Sequence, residues 1–73
     1  MITQAKWEEA PEEAQYFGIE DDEYYAAWYK VADGKLFGQL VDAQSLGLSK
    51  EGWDWQPIAA KDFVRMLSLE KRP

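Results

Sequence analysis

Asp33 and Gly34 stand between two runs of alternating character, and this pair constrains the fold more than any other feature of the chain. Asp-Gly at the centre of a two-residue loop is the strongest short-range hairpin signal, because both residues tolerate the positive φ of a type I′ turn. The spacing predicts strands over 23–32 and 35–41. A two-residue loop also sets the register. Val31 is expected opposite Leu36, Tyr29 opposite Gly38, and Ala27 opposite Leu40. On the other face Lys30 is expected to meet Phe37, Trp28 to meet Gln39, and Ala26 to meet Val41. Successive strand side chains point to opposite faces, so the two sets cannot share a side. The set Tyr25, Ala27, Tyr29, Val31, Leu36 and Leu40 makes the better core, with Tyr29 lying over the bare backbone of Gly38. The other set mixes Lys30 and Gln39 with Trp28 and Phe37.

The rest of the chain supplies shorter signals. Pro11 suits the first position of a helical turn, with Glu12 and Glu13 favourable near its positive end, so a short turn is expected over 11–14. Residues 15–19 read as a strand that stops at the charge run Glu20, Asp21, Asp22 and Glu23. Residues 42–52 read as a loop. Residues 53–56 alternate and could add a strand that Pro57 ends or marks as an edge. Ala60, Phe63, Val64 and Leu67 recur at i, i+3, i+4 and i+7, which predicts a C-terminal helix over about 59–69 packing on the sheet by that face. The fold class expected is α+β: a small antiparallel sheet built on the central hairpin, with a C-terminal helix, in one domain over 1–73.

A chain of 73 residues buries roughly 60% of its unfolded surface, which leaves a small margin of stability. With no Cys and no His, disulfides, thiolate zinc and imidazole ligands are excluded. Stability must come from packing, and four Trp, four Tyr and three Phe are a large supply. Each buried aromatic contributes about 1.5–3 kcal/mol, with ~0.5–1.5 more where rings meet at an angle. No apolar run approaches the roughly 18 residues of a membrane span. No signal-peptide pattern opens the chain, so an intracellular setting is expected.

The same absences exclude serine or cysteine triads of the usual kind. No phosphate-cradling glycine loop follows Gly34 or Gly38, and the chain is short for a sugar-burying cleft. A non-enzyme without a cofactor is expected. Residues 20–23 lack the alternating ligands and internal glycine of an EF-hand loop, so a solvated loop is the simpler reading than a calcium site.

Charge is unevenly placed. Of fourteen carboxylates, eight lie in residues 1–23 against Lys6 alone. This asymmetry suggests a partner with a basic surface, and direct binding to a phosphate backbone is not expected. Solubility is the plainer use of such charge. Glu20, Asp21, Asp22 and Glu23 repel one another, and a cationic partner would relieve that repulsion and gain on-rate. Trp28 and Phe37 are the candidate anchors if their face is exposed. If instead the C-terminal helix covers that face, both rings are core. Lys61 and Arg65, with Lys71 and Arg72 beyond, complement the helix C-terminus more simply than they bind nucleic acid.

Trp7-x-x-Ala10-Pro11-x-x-Ala14 near the start and Ser68-Leu69-Glu70-Lys71-Arg72-Pro73 at the end carry a resemblance. The chain resembles small domains encoded in tailed-phage genomes, which often open on Trp-x-x-Ala-Pro and close near Ser-Leu-x-x-Arg-Pro. It departs at Val64-Arg65-Met66-Leu67, where such proteins often carry a tryptophan. In length and character it is similar to the small phage transcription regulators that bind host RNA polymerase, a similarity that carries no residue across. The resemblance implies a regulator that binds a host protein machine in the bacterial cytoplasm, RNA polymerase first, and a monomer is expected. An anti-CRISPR or anti-restriction DNA mimic and a small structural virion protein are the alternatives.

Overall fold

A computed structural model describes residues 2–73. Its centre is the expected hairpin. β2 (Ala27–Ala32) and β3 (Lys35–Leu40) pair antiparallel, with Val31 opposite Leu36, Tyr29 opposite Gly38 and Trp28 opposite Gln39. The Val41 N–H donates to the Ala26 carbonyl and continues the ladder (3.1 Å). Asp33 and Gly34 both have positive φ, 53° and 74°, as a type I′ turn requires. A Cβ placed on Gly38 would stand 3.2 Å from the Tyr29 ring and 2.8 Å from Ile58 Cδ1. Tyr29 therefore does cover that glycine, and no larger residue fits without displacing Ile58.

The sheet has five antiparallel strands. β1 (Tyr16–Gly18) pairs with β2, setting Phe17 opposite Trp28 and Gly18 opposite Ala27. The edges are two-residue strands, β4 (Gln56–Pro57) against β3 and β5 (Glu70–Lys71) against β1. The spatial order is β4-β3-β2-β1-β5. Short edges, one of them ending in a proline without an N–H, offer little template for further pairing. The expected strand over 53–56 thus lies further along, at Gln56–Pro57, because Lys50–Trp53 forms a 3-10 helix first. Trp53 closes that turn by donating its indole N–H to the Leu48 carbonyl (2.9 Å).

Helical structure near the C-terminus completes the α+β architecture. Ala60–Ser68 is a 3-10 helix, η3, and not the α-helix its 3.6-residue periodicity predicts. Three residues per turn align Asp62, Arg65 and Ser68 in one row. Asp62 and Arg65 of that row face the protein, and Ser68 at its end is exposed. Arg65 is 3% exposed, whereas Phe63, Val64 and Leu67 of the expected packing face are 46%, 60% and 88% exposed. The C-terminal helix is present at its expected place and packs on the sheet, but through its arginine.

Both sheet faces carry a core. On one, Ala14, Phe17, Ala26 and Trp28 are buried, with Trp7, Val41 and Trp55 packed against them. The Trp28 ring lies 5.2 Å from Trp7 and 5.1 Å from Phe17, both tilted, the geometry in which ring quadrupoles attract. The cover is the N-terminal segment, with a 3-10 turn at Trp7–Glu9 and the expected turn over 11–14, where the Ala14 N–H donates to Pro11 (3.0 Å). Arg72 holds this cover down. Its Nη1 donates to the carbonyls of Pro11 (3.1 Å) and Ala14 (2.8 Å), and its guanidinium lies over the Trp7 ring. On the other face Ala27, Tyr29 and Leu36 are buried beneath Tyr16, Leu40, Ile58 and Leu69. Tyr25 and Val31, assigned to this core from alternation, are exposed, because the covering segment reaches the middle of the sheet and not its ends.

Candidate docking surface

Residues 20–23 form a shaped loop. Asp21 Oδ1 accepts the N–H groups of Glu23 (2.8 Å) and Tyr24 (2.9 Å), and the Asp21 N–H donates to the Tyr24 carbonyl (2.9 Å). This is an aspartate-capped turn, a local geometry that short acidic side chains favour. Those two backbone donors, with the Arg65 guanidinium beside them, hold the Asp21 carboxyl below the usual carboxylate range. The neighbouring Glu20 N–H donates to the Ile2 carbonyl (2.7 Å), tying the loop to the N-terminal segment. Asp22 and Glu23 are exposed, and among the described residues no side chain pairs with their carboxylates.

Arg65 links this loop to η3. Its Nη1 meets Asp21 Oδ2 (3.3 Å), its Nε donates to the Tyr29 hydroxyl (3.3 Å), and its Nη2 donates to the carbonyls of Ile19 and Tyr25. The guanidinium also stacks over the Tyr24 ring at 4.7 Å. It lies where a side chain on Gly18 would be, since a Cβ there would stand 2.7 Å from Nη2. A buried charge is tolerated only when its hydrogen-bonding capacity is met, and here four acceptors meet it. One turn earlier, Tyr24 donates its hydroxyl to Asp62 Oδ1 (3.4 Å). Burial, then the Asp62 carboxylate, pushes the Tyr24 phenol up.

The candidate anchors divide. Trp28 is 4% exposed and lies under Trp7, so it is a core residue and not a contact for a partner. The N-terminal segment buries it, a cover that neither reading of that face supplied. Phe37 is half-buried, beside Lys30 at 5.9 Å and opposite Pro57. Lys30 is itself engaged by Glu13 (2.7 Å) and lies over the Trp55 ring at 4.8 Å. That ion pair lies at the margin of the aromatic cluster on the Trp28 face. Of the six site residues expected, the acidic four stay together on one loop, and Trp28 and Phe37 lie on the far side of the central strands' alternation.

Sequence reasoning missed the exposed apolar side chains beside the loop: Phe63, Val64, Met66 and Leu67 on η3, with Ile19 and Tyr25 on the segment that Arg65 grips. The signal was present as an arginine inside an amphipathic stretch. Periodicity alone assigns such a residue to solvent.

Among the described residues no group of three or more His, Cys, Asp or Glu is placed to hold a metal ion, and no helix is long and apolar enough to cross a membrane. The fold and surface define a small α+β domain with an acidic, partly apolar flank. Protein-family models, curated proteins and solved structures contain no match to the chain.

Proposed function

We propose that this domain is a stoichiometric regulator that binds a host protein machine, with bacterial RNA polymerase as the first target to test, and inhibits or redirects transcription. The reading is carried by the preorganised acidic loop. Asp21 commits its carboxylate to the turn and to Arg65, which leaves Asp22 and Glu23 exposed on a backbone of defined shape, with half-buried Glu20 beside them accepting the Ile2 N–H. A fixed cluster of like charge steers a basic surface toward it and costs little ordering entropy when the complex forms. The polymerase as target rests on the resemblance to phage regulators alone. In this role the domain works in the bacterial cytoplasm as a monomer.

Binding of purified bacterial RNA polymerase, followed by surface-immobilised kinetics, tests the reading. Association is expected to slow as salt rises, and the triple substitution Glu20→Gln, Asp22→Asn, Glu23→Gln is expected to lower the on-rate by about tenfold or more. Absence of polymerase binding at low salt rejects the target. Recovery of a nuclease from lysate would favour the DNA mimic, although the acids cluster in short runs instead of spreading at duplex-like spacing. Recovery of the protein alone, in large assemblies, would favour a virion component.

A further inference from the structure

Leu67, Val64 and Phe63 are the side chains on which periodicity and structure disagree most, and their exposure has a consequence for recognition. Monomeric proteins seldom leave neighbouring large apolar groups this open on one element unless something covers them. The strip does not stand alone. Arg65 and Asp62, on the inward row of the same helix, bind Asp21, Tyr24 and the carbonyls of Ile19 and Tyr25. These contacts bring exposed Ile19 and Tyr25, and the loop that carries exposed Asp22 and Glu23, to the border of the strip.

We propose that this combined surface docks a protein groove that is apolar at its floor and rimmed by lysine and arginine. The proposal rests on the binding role above and supplies the chemistry of the partner's contact site. Charge complementarity selects that occupant. The border is acidic, while the positive charge of Arg65 is already engaged by Asp21 and buried, which leaves Lys61 as the one outward cation of η3. Interfaces of this build place apolar groups centrally and charges at the rim, where opposite sign in the partner sets orientation and on-rate. A second copy is a poor occupant. It brings the same acidic border and no rim of lysine and arginine, and the chain already carries a net charge of -6. The acidic border likewise repels phosphate backbones.

The test is titration of the isotope-labelled full chain, followed by backbone NMR shifts, with a synthetic amphipathic helical peptide of Leu and Lys. A Leu and Glu peptide of the same pattern is the comparison. Shifts are expected in residues 19–25 and 60–68, with binding that weakens as salt rises. Leu67→Asp and Val64→Asp are each expected to weaken it about 10- to 30-fold, a loss of hot-spot size. Both positions are open, so circular dichroism is expected to show an unchanged fold. Shifts confined to the separate depression that Tyr29, Gly38, Leu40, Leu48 and Ile58 line, equal binding of the Leu and Glu peptide, or affinity untouched by both variants would overturn the proposal. Concentration-dependent dimerisation abolished by Leu67→Asp would overturn it in favour of a second copy. The same variants against RNA polymerase separate the two readings. Peptide binding at this face without polymerase binding removes only the polymerase, whereas polymerase binding indifferent to both variants removes only this surface.

Discussion

The two faces of the sheet are closed by opposite means. On the Trp28 face the N-terminal segment lays Trp7, Ala10 and Ala14 over Phe17 and Trp28, and the polar contacts stay at the margin in Arg72, Lys30 and Glu13. On the Tyr29 face the apolar cover of Ile58 and Leu69 is joined by Arg65, a buried cation reaching four acceptors. The first face gains from area and ring geometry. The second gains from directional bonds, and so holds η3 at one rotation, with its apolar side chains outward. A buried charged group seldom adds net stability over a packed apolar group, but it can specify geometry. Here it specifies which row of η3 faces in.

This contrast can be broken by substitution. Trp28→Ala removes the centre of the all-apolar side and is expected to cost about 3–5 kcal/mol, enough to unfold a domain of this size. Urea denaturation monitored by circular dichroism would show it, and a cost below ~1 kcal/mol would mean the N-terminal cover does not seal that face. Arg65→Ala is expected to cost somewhat less, about 2–3 kcal/mol, since it strands the Tyr29 hydroxyl and two carbonyls but leaves a half-exposed Asp21 to water. Arg65→Met restores volume without donors. If Met recovers most of the loss, packing and not hydrogen bonding holds η3.

Acid sharpens the same point. The Asp21 carboxyl has a lower pKa folded than unfolded. Its contribution is therefore present above its unfolded pKa, near pH 4, and is lost as pH falls through the lower folded value. Stability measured against pH is expected to decline across that acidic window, and Asp21→Asn is expected to flatten part of the decline. The smallest effect is the most discriminating. Leu67→Ala is expected to change stability by less than about 0.5 kcal/mol. Had residues 60, 63, 64 and 67 packed on the sheet, the same change would cost about 2–5 kcal/mol.

How much of this was legible follows from the range of each interaction. The hairpin, its six-pair register, the glycine under Tyr29 and the turn at Pro11 depend on neighbouring φ preferences and on strict alternation, which residues near in sequence determine for themselves. Alternation sorted Trp28 and Tyr29 to opposite sides correctly, and contiguity kept the four acids together, although the strand expected from Glu23 begins only at Ala27. It could not say what covers either side. That Trp7 arrives over Trp28, that β5 joins β1, and that Arg65 turns inward beside Gly18 depend on contacts spanning tens of residues. Arg65 shows why. A helical wheel ranks side chains by their affinity for water alone, so an arginine is read as outward. Only the assembled chain reveals that Ile19, Asp21, Tyr25 and Tyr29 converge as acceptors at one point, and a guanidinium satisfied by all of them is better placed there than a leucine.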